Sequence, residues 1–279
     1  MQKVKSLLKK LPGLGGLAST DAWRLLRHRL VLYTGERENS TFTGFLRLPA
    51  QFDALAGPVL DYLLEGKKAG PLKIGVLGCS NGSEAYTIAS VLKGSRPGLK
   101  FTINAFDIDR KMIEKGAGAS YRREEIYNNR VITDSFIRKT FDMEKDTFTI
   151  KKGIRSHLKF DYADALDNRL KETVGPCDVV FAQNFIFHMK RDAARRALNN
   201  ICALLNPRAA LFVDGIDIDI RRRLTKRHNL APLTYKIEEI HNEARMARAI
   251  GWPYSYWGLE PFLTTRRDWQ RRYATVFLK

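Results

Sequence analysis

Leu72-Lys73-Ile74-Gly75-Val76-Leu77-Gly78-Cys79-Ser80-Asn81-Gly82-Ser83-Glu84 decides how this 279-residue chain is to be read. A short apolar run stops at Gly78, a glycine-bearing turn follows, and a helix is expected from about Ser83 to Leu92. The same alternation continues downstream. Phe101 to Phe106 predicts a second strand ending in Asp107, with a helix around Asp109 to Lys115. Asp178 to Ala182 predicts a third, followed by a helix from about Arg191 to Leu205 that stops at Asn206-Pro207. Ala210 to Val213 predicts a fourth, and Tyr273 to Leu278 a last strand. Strands alternating with helices predict βαβ units. The expected fold is α/β: a doubly wound, mostly parallel, Rossmann-like sheet with a short N-terminal helical segment and a final antiparallel strand.

Around this body the pattern is less regular. Residues 1–40 predict a basic helical segment: Val4, Leu7, Leu8 and Leu11 precede a break at Pro12 to Gly16, and Ser19-Thr20-Asp21 caps a second helix with Trp23, Leu25, Leu26, Leu30 and Leu32. Residues 41–279 form the main domain, with 216–262 a helical and aromatic insertion (Trp252 to Trp257) before the last strand. Thr147 to Ile150 and Arg155 to Phe160 are read as the two arms of a hairpin turning at Lys151-Lys152-Gly153, the second arm being a candidate to join the main sheet.

Composition narrows the function. With 44% hydrophobic residues the chain is neither disordered nor fibrous, and no apolar run reaches the roughly 18 residues of a membrane span. Cys79, Cys177 and Cys202 lie far apart, which supports neither a disulfide framework nor a cysteine metal site. The first ten residues carry charges without a long apolar stretch, so no secretory signal is expected and the location is read as cytoplasmic. Lys+Arg outnumber Asp+Glu by 48 to 30, a net charge of +18. That favours anionic partners, an anionic surface or RNA included. Arg221 to Arg227 holds five of these cations and is read as a solvated basic face.

In an open α/β sheet, ligands sit outside the carboxyl ends of the strands. After the first strand, Gly78 and Gly82 let backbone approach a ligand, and the following helix presents free N–H groups. The turn is not GxGxxG and lacks the lysine of a phosphate loop. About 25 residues on, Asp107 closes the second strand, placed to bond ribose hydroxyls. Glu84, in the first helical turn, repels a pyrophosphate and attracts an ammonium. S-adenosyl-L-methionine, with an amino group, a sulfonium, a ribose and no phosphate, fits these residues best. No metal site is expected.

Cys79 to Ala89 also resembles the first motif of the chemotaxis receptor glutamate methyltransferase family. The likeness continues through Thr43 to Phe52 (T-x-F-F-R-x-P-x-x-F in that family), Phe106 to Asp109, Gly118 to Tyr121, Asp161 to Leu166, Phe181 to His188 and Leu204 to Pro207. It covers about residues 40–214. The resemblance implies a Rossmann-like, S-adenosylmethionine-dependent methyltransferase. It puts Arg47 on the cofactor carboxylate with Thr43 nearby, Glu84 on its ammonium, Asp107 on its ribose with Ile108 beside it, Asp164 and Ala165 around the adenine, and Asn184 at the methionine end. Gly78, Ser80 and Gly82 form the turn beneath it.

Departures from that pattern matter for the acceptor. The family's substrate-facing Arg and Tyr are Gln183 and His188 here, and its G-H-S-E is Asp214-Gly215-Ile216-Asp217. Losing the arginine removes the group that steers a carboxylate. His188 is the leading candidate base, with Gln183 and Tyr86 as further catalytic candidates and Asp214 and Asp217 as lesser ones. The expected reaction is methyl transfer to an unidentified acceptor, a carboxyl or hydroxyl oxygen of a small molecule or acidic protein. The alternatives are an RNA-binding methyltransferase and a catalytically inactive cofactor-binding scaffold.

Overall fold

The computed structural model describes residues 43–65, 70–127, 131–248 and 261–279. The expected N-terminal helical segment and the Trp252 to Trp257 block lie outside the described residues. The strands are β1 (Leu72–Leu77), β2 (Phe101–Asp107), β3 (Ser120–Arg122), β4 (Phe141–Glu144), β5 (Thr147–Ile150), β6 (Leu158–Tyr162), β7 (Cys177–Gln183), β8 (Leu205–Asp214), β9 (Ala231–Pro232) and β10 (Val276–Leu278). The helices used below are α1 (Pro49–Ala54), α2 (Ser83–Ser95), α3 (Arg110–Gly118), α4 (Arg191–Ala203), α5 (Ile218–Arg227) and α6 (Ile237–Arg248).

A seven-stranded sheet runs in the order β6-β2-β1-β7-β8-β10-β9. Strands β6, β2, β1, β7 and β8 pair parallel, while β10 pairs antiparallel with both β8 and β9. Central strands covered on both faces have to be apolar throughout. In β1 only Lys73 is exposed, and β7 is buried from Val179 to Gln183. Phe181 and Phe212 stand opposite each other on β7 and β8 and stack with centroids 4.2 Å apart, a cross-strand pair of the kind that fixes register. The chain winds outward from β1 through β2 to β6, then returns to place β7 on the other side of β1. The switch point therefore falls between β1 and β7.

A second, three-stranded antiparallel sheet, β3-β5-β4, is inserted between β2 and β6. This corrects the pairing of the two expected hairpin arms and bears out the second arm's place in the main sheet. Thr147 to Ile150 pairs back onto Phe141 to Glu144 around a turn in which Lys145 is left-handed (φ 52°). Residues Lys152–Arg155 form one helical turn instead of a hairpin bend, and Leu158–Tyr162 joins the main sheet parallel to β2. The alternation of Thr147-Phe148-Thr149-Ile150 suits a sheet with one buried face, whereas the later segment is paired at the edge of a parallel sheet.

The small sheet does structural work for the segment ahead of α1. Phe45 is fully buried and meets the rings of Tyr121 and Phe141 edge-on at 5.0 and 5.1 Å. From the opposite side, the carboxylate of Glu243 on α6 accepts the N–H of Ala50 at 3.1 Å, satisfying an orphan donor of the first turn of α1, and Lys236 pairs with Asp53 at 2.6 Å. Thr43 to Arg47 is thus held over the ends of β1 and β7. The last strand begins at Val276, later than expected, because Trp269–Tyr273 closes a helical turn first. Likewise β8 starts at Leu205, ahead of Pro207, where the expectation began the strand at Ala210.

The run Arg221 to Arg227 is not wholly a solvated face. Arg221 is 1% exposed, lies 3.7 Å from the equally buried Asp214 and donates to the carbonyl of Arg272 at 2.8 Å. Its long stem can cross the core only because a carboxylate waits there.

Candidate functional site

A cavity of about 570 Å³ opens at the switch point, over the carboxyl ends of β1, β2 and β7. Backbone geometry marks the place before any ligand is considered. Ser80 and Asn184, neither of them glycine, line it with left-handed φ (48° and 61°), and Leu46, the neighbour of the lining residue Arg47, is left-handed too (48°). Such conformations persist where the surroundings over-determine them, often at binding sites. Gly78 turns with φ 68°, and a Cβ there would meet the ring of Phe185 at 2.6 Å. Gly215 (φ 67°) would bring a Cβ to 2.7 Å from the Cα of Asn184, so the β8 turn and the β7 turn are seated against each other.

The polar groups are held from beneath. Asp107, at the tip of β2, accepts the N–H of Ser80 at 2.7 Å and that of Asp109 at 2.9 Å, locking the β1 turn to the β2 turn. Asp109 caps α3 by accepting from Lys111 and Met112. Asn81 accepts from the backbone and hydroxyl of Ser83 at 3.1 and 2.7 Å, opening α2. Asp164 closes its own turn by accepting from Leu166 at 2.8 Å. Gln183 donates to Gln51 at 2.7 Å, and Gln51 donates to Thr275 at 2.7 Å, a buried relay joining β7, α1 and the residue before β10.

Electrostatics single out Glu84. Burial pushes its carboxyl from 4.5 up to about 7; the Arg47 guanidinium pulls down and Asp214 pushes up. The Oδ1 of Asn184 is buried and has no hydrogen-bond partner, an acceptor awaiting a donor. Cysteine chemistry is excluded on position and on charge: Cys79, Cys177 and Cys202 are all buried free thiols, each pushed up chiefly by burial, Cys177 and Cys202 to about 12.

Of the residues expected at the site, Thr43, Arg47, Gly78, Ser80, Glu84, Asp107, Ile108, Asp164, Ala165, Gln183, Asn184 and His188 all line this one cavity. Gly82 and Tyr86 do not. A Cβ at Gly82 (φ 84°) would strike the Phe160 ring at 2.9 Å, so this glycine serves the packing of α2 on β6. Tyr86 is fully buried, donates to the carbonyl of Gly116 at 2.9 Å and is pushed up to about 12 by burial, a structural residue and no acid-base group. Asp214 is tied to Arg221, and Asp217 caps α5 by accepting from Asp219 and Ile220. Neither lines the cavity. Sequence reading gave no role to the apolar walls Phe52, Leu77, Phe185 and Met189, nor to Arg110 on the rim. Their only signal is adjacency to the strand-end motifs.

A ligand held here meets two guanidinium groups (Arg47 and Arg110), four carboxylates (Glu84, Asp107, Asp109 and Asp164), a buried amide oxygen and apolar walls, with no lysine of a phosphate loop. Those donors fit an amino-acid zwitterion joined to a nucleoside, and the site and sheet define an S-adenosylmethionine-binding α/β domain. Residues 41–219 match the family described as CheR methyltransferase, SAM binding domain, and the chain belongs to that family. S-adenosyl-L-methionine is its cofactor. Among curated relatives, the probable biofilm formation methyltransferase WspC of Pseudomonas putida is 27% identical over 66% of this chain and 43% of its own length. Chemotaxis protein methyltransferase 2 of Vibrio cholerae is 27% identical over 61% of this chain and 60% of its own length. The chemotaxis protein methyltransferase of Escherichia coli is 25% identical over 67% and 65%. The match thus spans about half the length of the first two. Among the described residues, no helix is long and apolar enough to cross a membrane, and no group of three or more His, Cys, Asp or Glu is placed to hold a metal ion.

Proposed function

We propose that residues 41–279 act as one domain that transfers the methyl group of S-adenosylmethionine to a neutral oxygen, a hydroxyl, of an acceptor entering beside His188. The observation that carries this reading is the convergence of Arg47, Glu84, Asp107, Asn184 and His188 on one cavity. Arg47 binds the cofactor carboxylate, Glu84 and the Oδ1 of Asn184 accept from its ammonium, and Asp107 accepts from its ribose with Ile108 alongside. Asp164 and Ala165 flank the adenine; Thr43, Gly78 and Ser80 shape the wall. Charge-assisted bonds of this kind suit a zwitterion.

When bound, the cofactor supplies a methyl on a sulfonium, a good leaving group, so orientation and exclusion of water do much of the remaining work. Phe52, Phe185 and Met189 provide the apolar enclosure. At the acceptor end the side chains are Gln183, Asn184, Phe185 and His188. Gln183 is committed to Gln51, and no arginine or lysine stands among the four to hold a carboxylate. A carboxylate needs no base; a hydroxyl does, and His188 is the group placed to take its proton.

The test uses tritiated methyl donor, the full chain and two kinds of acceptor: a chemoreceptor signalling fragment, as the relatives' names invite, and free aliphatic and phenolic alcohols. Transfer to a hydroxyl gives an ether, whose label survives treatment at pH 10, and His188→Gln lowers kcat by about 100-fold with cofactor affinity unchanged. Label released as methanol at pH 10 identifies a carboxyl ester and refutes the hydroxyl assignment. Tight cofactor binding without transfer to any acceptor would favour the scaffold reading.

A further inference from the structure

The basic run at Arg221 to Arg227 has a destination that the methyl-transfer site does not use. Helices α4 and α5 lie side by side and enclose a second cleft of about 490 Å³. Arg191 and Arg195, one turn apart on α4, face Arg223 and Arg227, one turn apart on α5, and Arg196 completes the rim. No carboxylate lines the cleft. Asp192, on α4, pairs with Arg195 at 2.9 Å while its own side chain is 89% exposed. Among the described residues, Arg191, Arg196, Arg223 and Arg227 are in no ion pair. The Nε of Arg191 is buried with no acceptor.

Crowding like charges around one concavity is unfavourable unless something anionic relieves it, and a buried guanidinium N–H without an acceptor adds to that cost. Guanidinium forks fit phosphoryl oxygens in pairs. The floor of the cleft is apolar, formed by Ile220 and Leu224. A concave shape with an apolar floor admits a small solute and not a flat lipid surface. The geometry points to a binding site for a small soluble anion carrying two or more phosphoryl groups, held between α4 and α5. This site shares no lining residue with the cofactor cavity, so it stands or falls independently of the methyl-transfer reading. The two hollows are nevertheless neighbours: Asn200, in the cleft, donates to the carbonyls of Ala165 and Asp167 at 3.0 and 3.1 Å, and so holds the loop that walls the cofactor cavity.

The experiment is isothermal titration of the full chain with inorganic tripolyphosphate at 50 and 200 mM salt. Saturable one-site binding is expected, weakened about tenfold or more by the higher salt because several charges are neutralised. Arg223→Glu and Arg196→Glu, both exposed and outside the packed core, should each weaken it at least tenfold. Lys100→Glu, an equal charge change elsewhere on the surface, should change it less than twofold. Excess S-adenosylhomocysteine should not displace the anion. Equal losses in all three variants would mean attraction to the chain's overall charge and would overturn the site, as would absence of saturable binding or displacement by S-adenosylhomocysteine. Binding to vesicles bearing polyphosphorylated lipid, without binding to free tripolyphosphate, would overturn the soluble ligand.

Discussion

Glu84 offers the sharpest quantitative handle on the cofactor site. Burial pushes its carboxyl up to about 7. An ammonium ligand needs the ionised form. If only that form binds, affinity follows the ionised fraction, which rises from about 3% at pH 5.5 to about 75% at pH 7.5, so binding should tighten about 25-fold over that range. Binding at pH 7 should release about half a proton, read as a dependence of titration heat on the ionisation enthalpy of the buffer. The ligand to use is S-adenosylhomocysteine, which keeps the amino acid and nucleoside without the reactive methyl. The same shift bears on stability. Below 4.5 the carboxyl is protonated in both folded and unfolded chains, and no penalty arises. As pH rises through the window up to about 7, the unfolded chain gives up a proton that the native state retains, so folding stability falls. Allowing for the carboxyl's partial access to the cavity, the loss is about 2 kcal/mol at pH 8. Glu84→Gln should therefore unfold several degrees higher than the parent at pH 8 while losing affinity for S-adenosylhomocysteine. Affinity flat from pH 5.5 to 7.5, with no buffer dependence, would refute this reasoning.

Other expectations follow from individual contacts. Gly78→Ala should abolish S-adenosylhomocysteine binding and cost about 2 kcal/mol by denaturant unfolding, since its Cβ would meet Phe185 at 2.6 Å in a left-handed turn. Gln51→Ala strands two buried partners, Gln183 and Thr275, and should destabilise by about 2–3 kcal/mol in the same assay. Asp214→Ala leaves the buried Arg221 without its carboxylate and should cost about 3–5 kcal/mol; a change under 1 kcal/mol would show that the pair is immaterial. Tyr86→Phe should lower stability by about 1 kcal/mol through the lost bond to Gly116 without changing the rate of methyl transfer, in keeping with a packing role.

How far the sequence reached depends on the kind of interaction. Parallel strands buried on both faces are written as continuous apolar runs, so β1, β2, β7 and β8 and the turns at their ends can be read directly, and with them Gly78, Glu84 and Asp107; Asn184 enters only through the family resemblance. The short antiparallel sheet is not legible in the sequence because Thr147 to Ile150 has strand-like residues on either side; in the fold it pairs with Phe141 to Glu144, where Phe141 packs on Phe45. Tyr86 and Gly82 were drawn into the site by adjacency along the chain. One helical turn places Glu84 toward the cavity and Tyr86 toward Gly116. Arg221 looked like its neighbours in a basic run. Its burial depends on Asp214, which sequence proximity alone does not pair with it. Gln51 lay in a quoted motif with no role, since its two partners, Gln183 and Thr275, are distant in the chain.

The central claim is that Arg47, Glu84 and Asp107 together hold one zwitterionic nucleoside. A crystal structure of the full chain soaked with S-adenosylhomocysteine tests it most directly. The account predicts the ligand's carboxylate on Arg47, its ammonium on Glu84 and its ribose hydroxyls on Asp107, with the sulfur facing the mouth where His188 stands. Electron density for the ligand anywhere else, or a cavity left empty at saturating ligand, would contradict it.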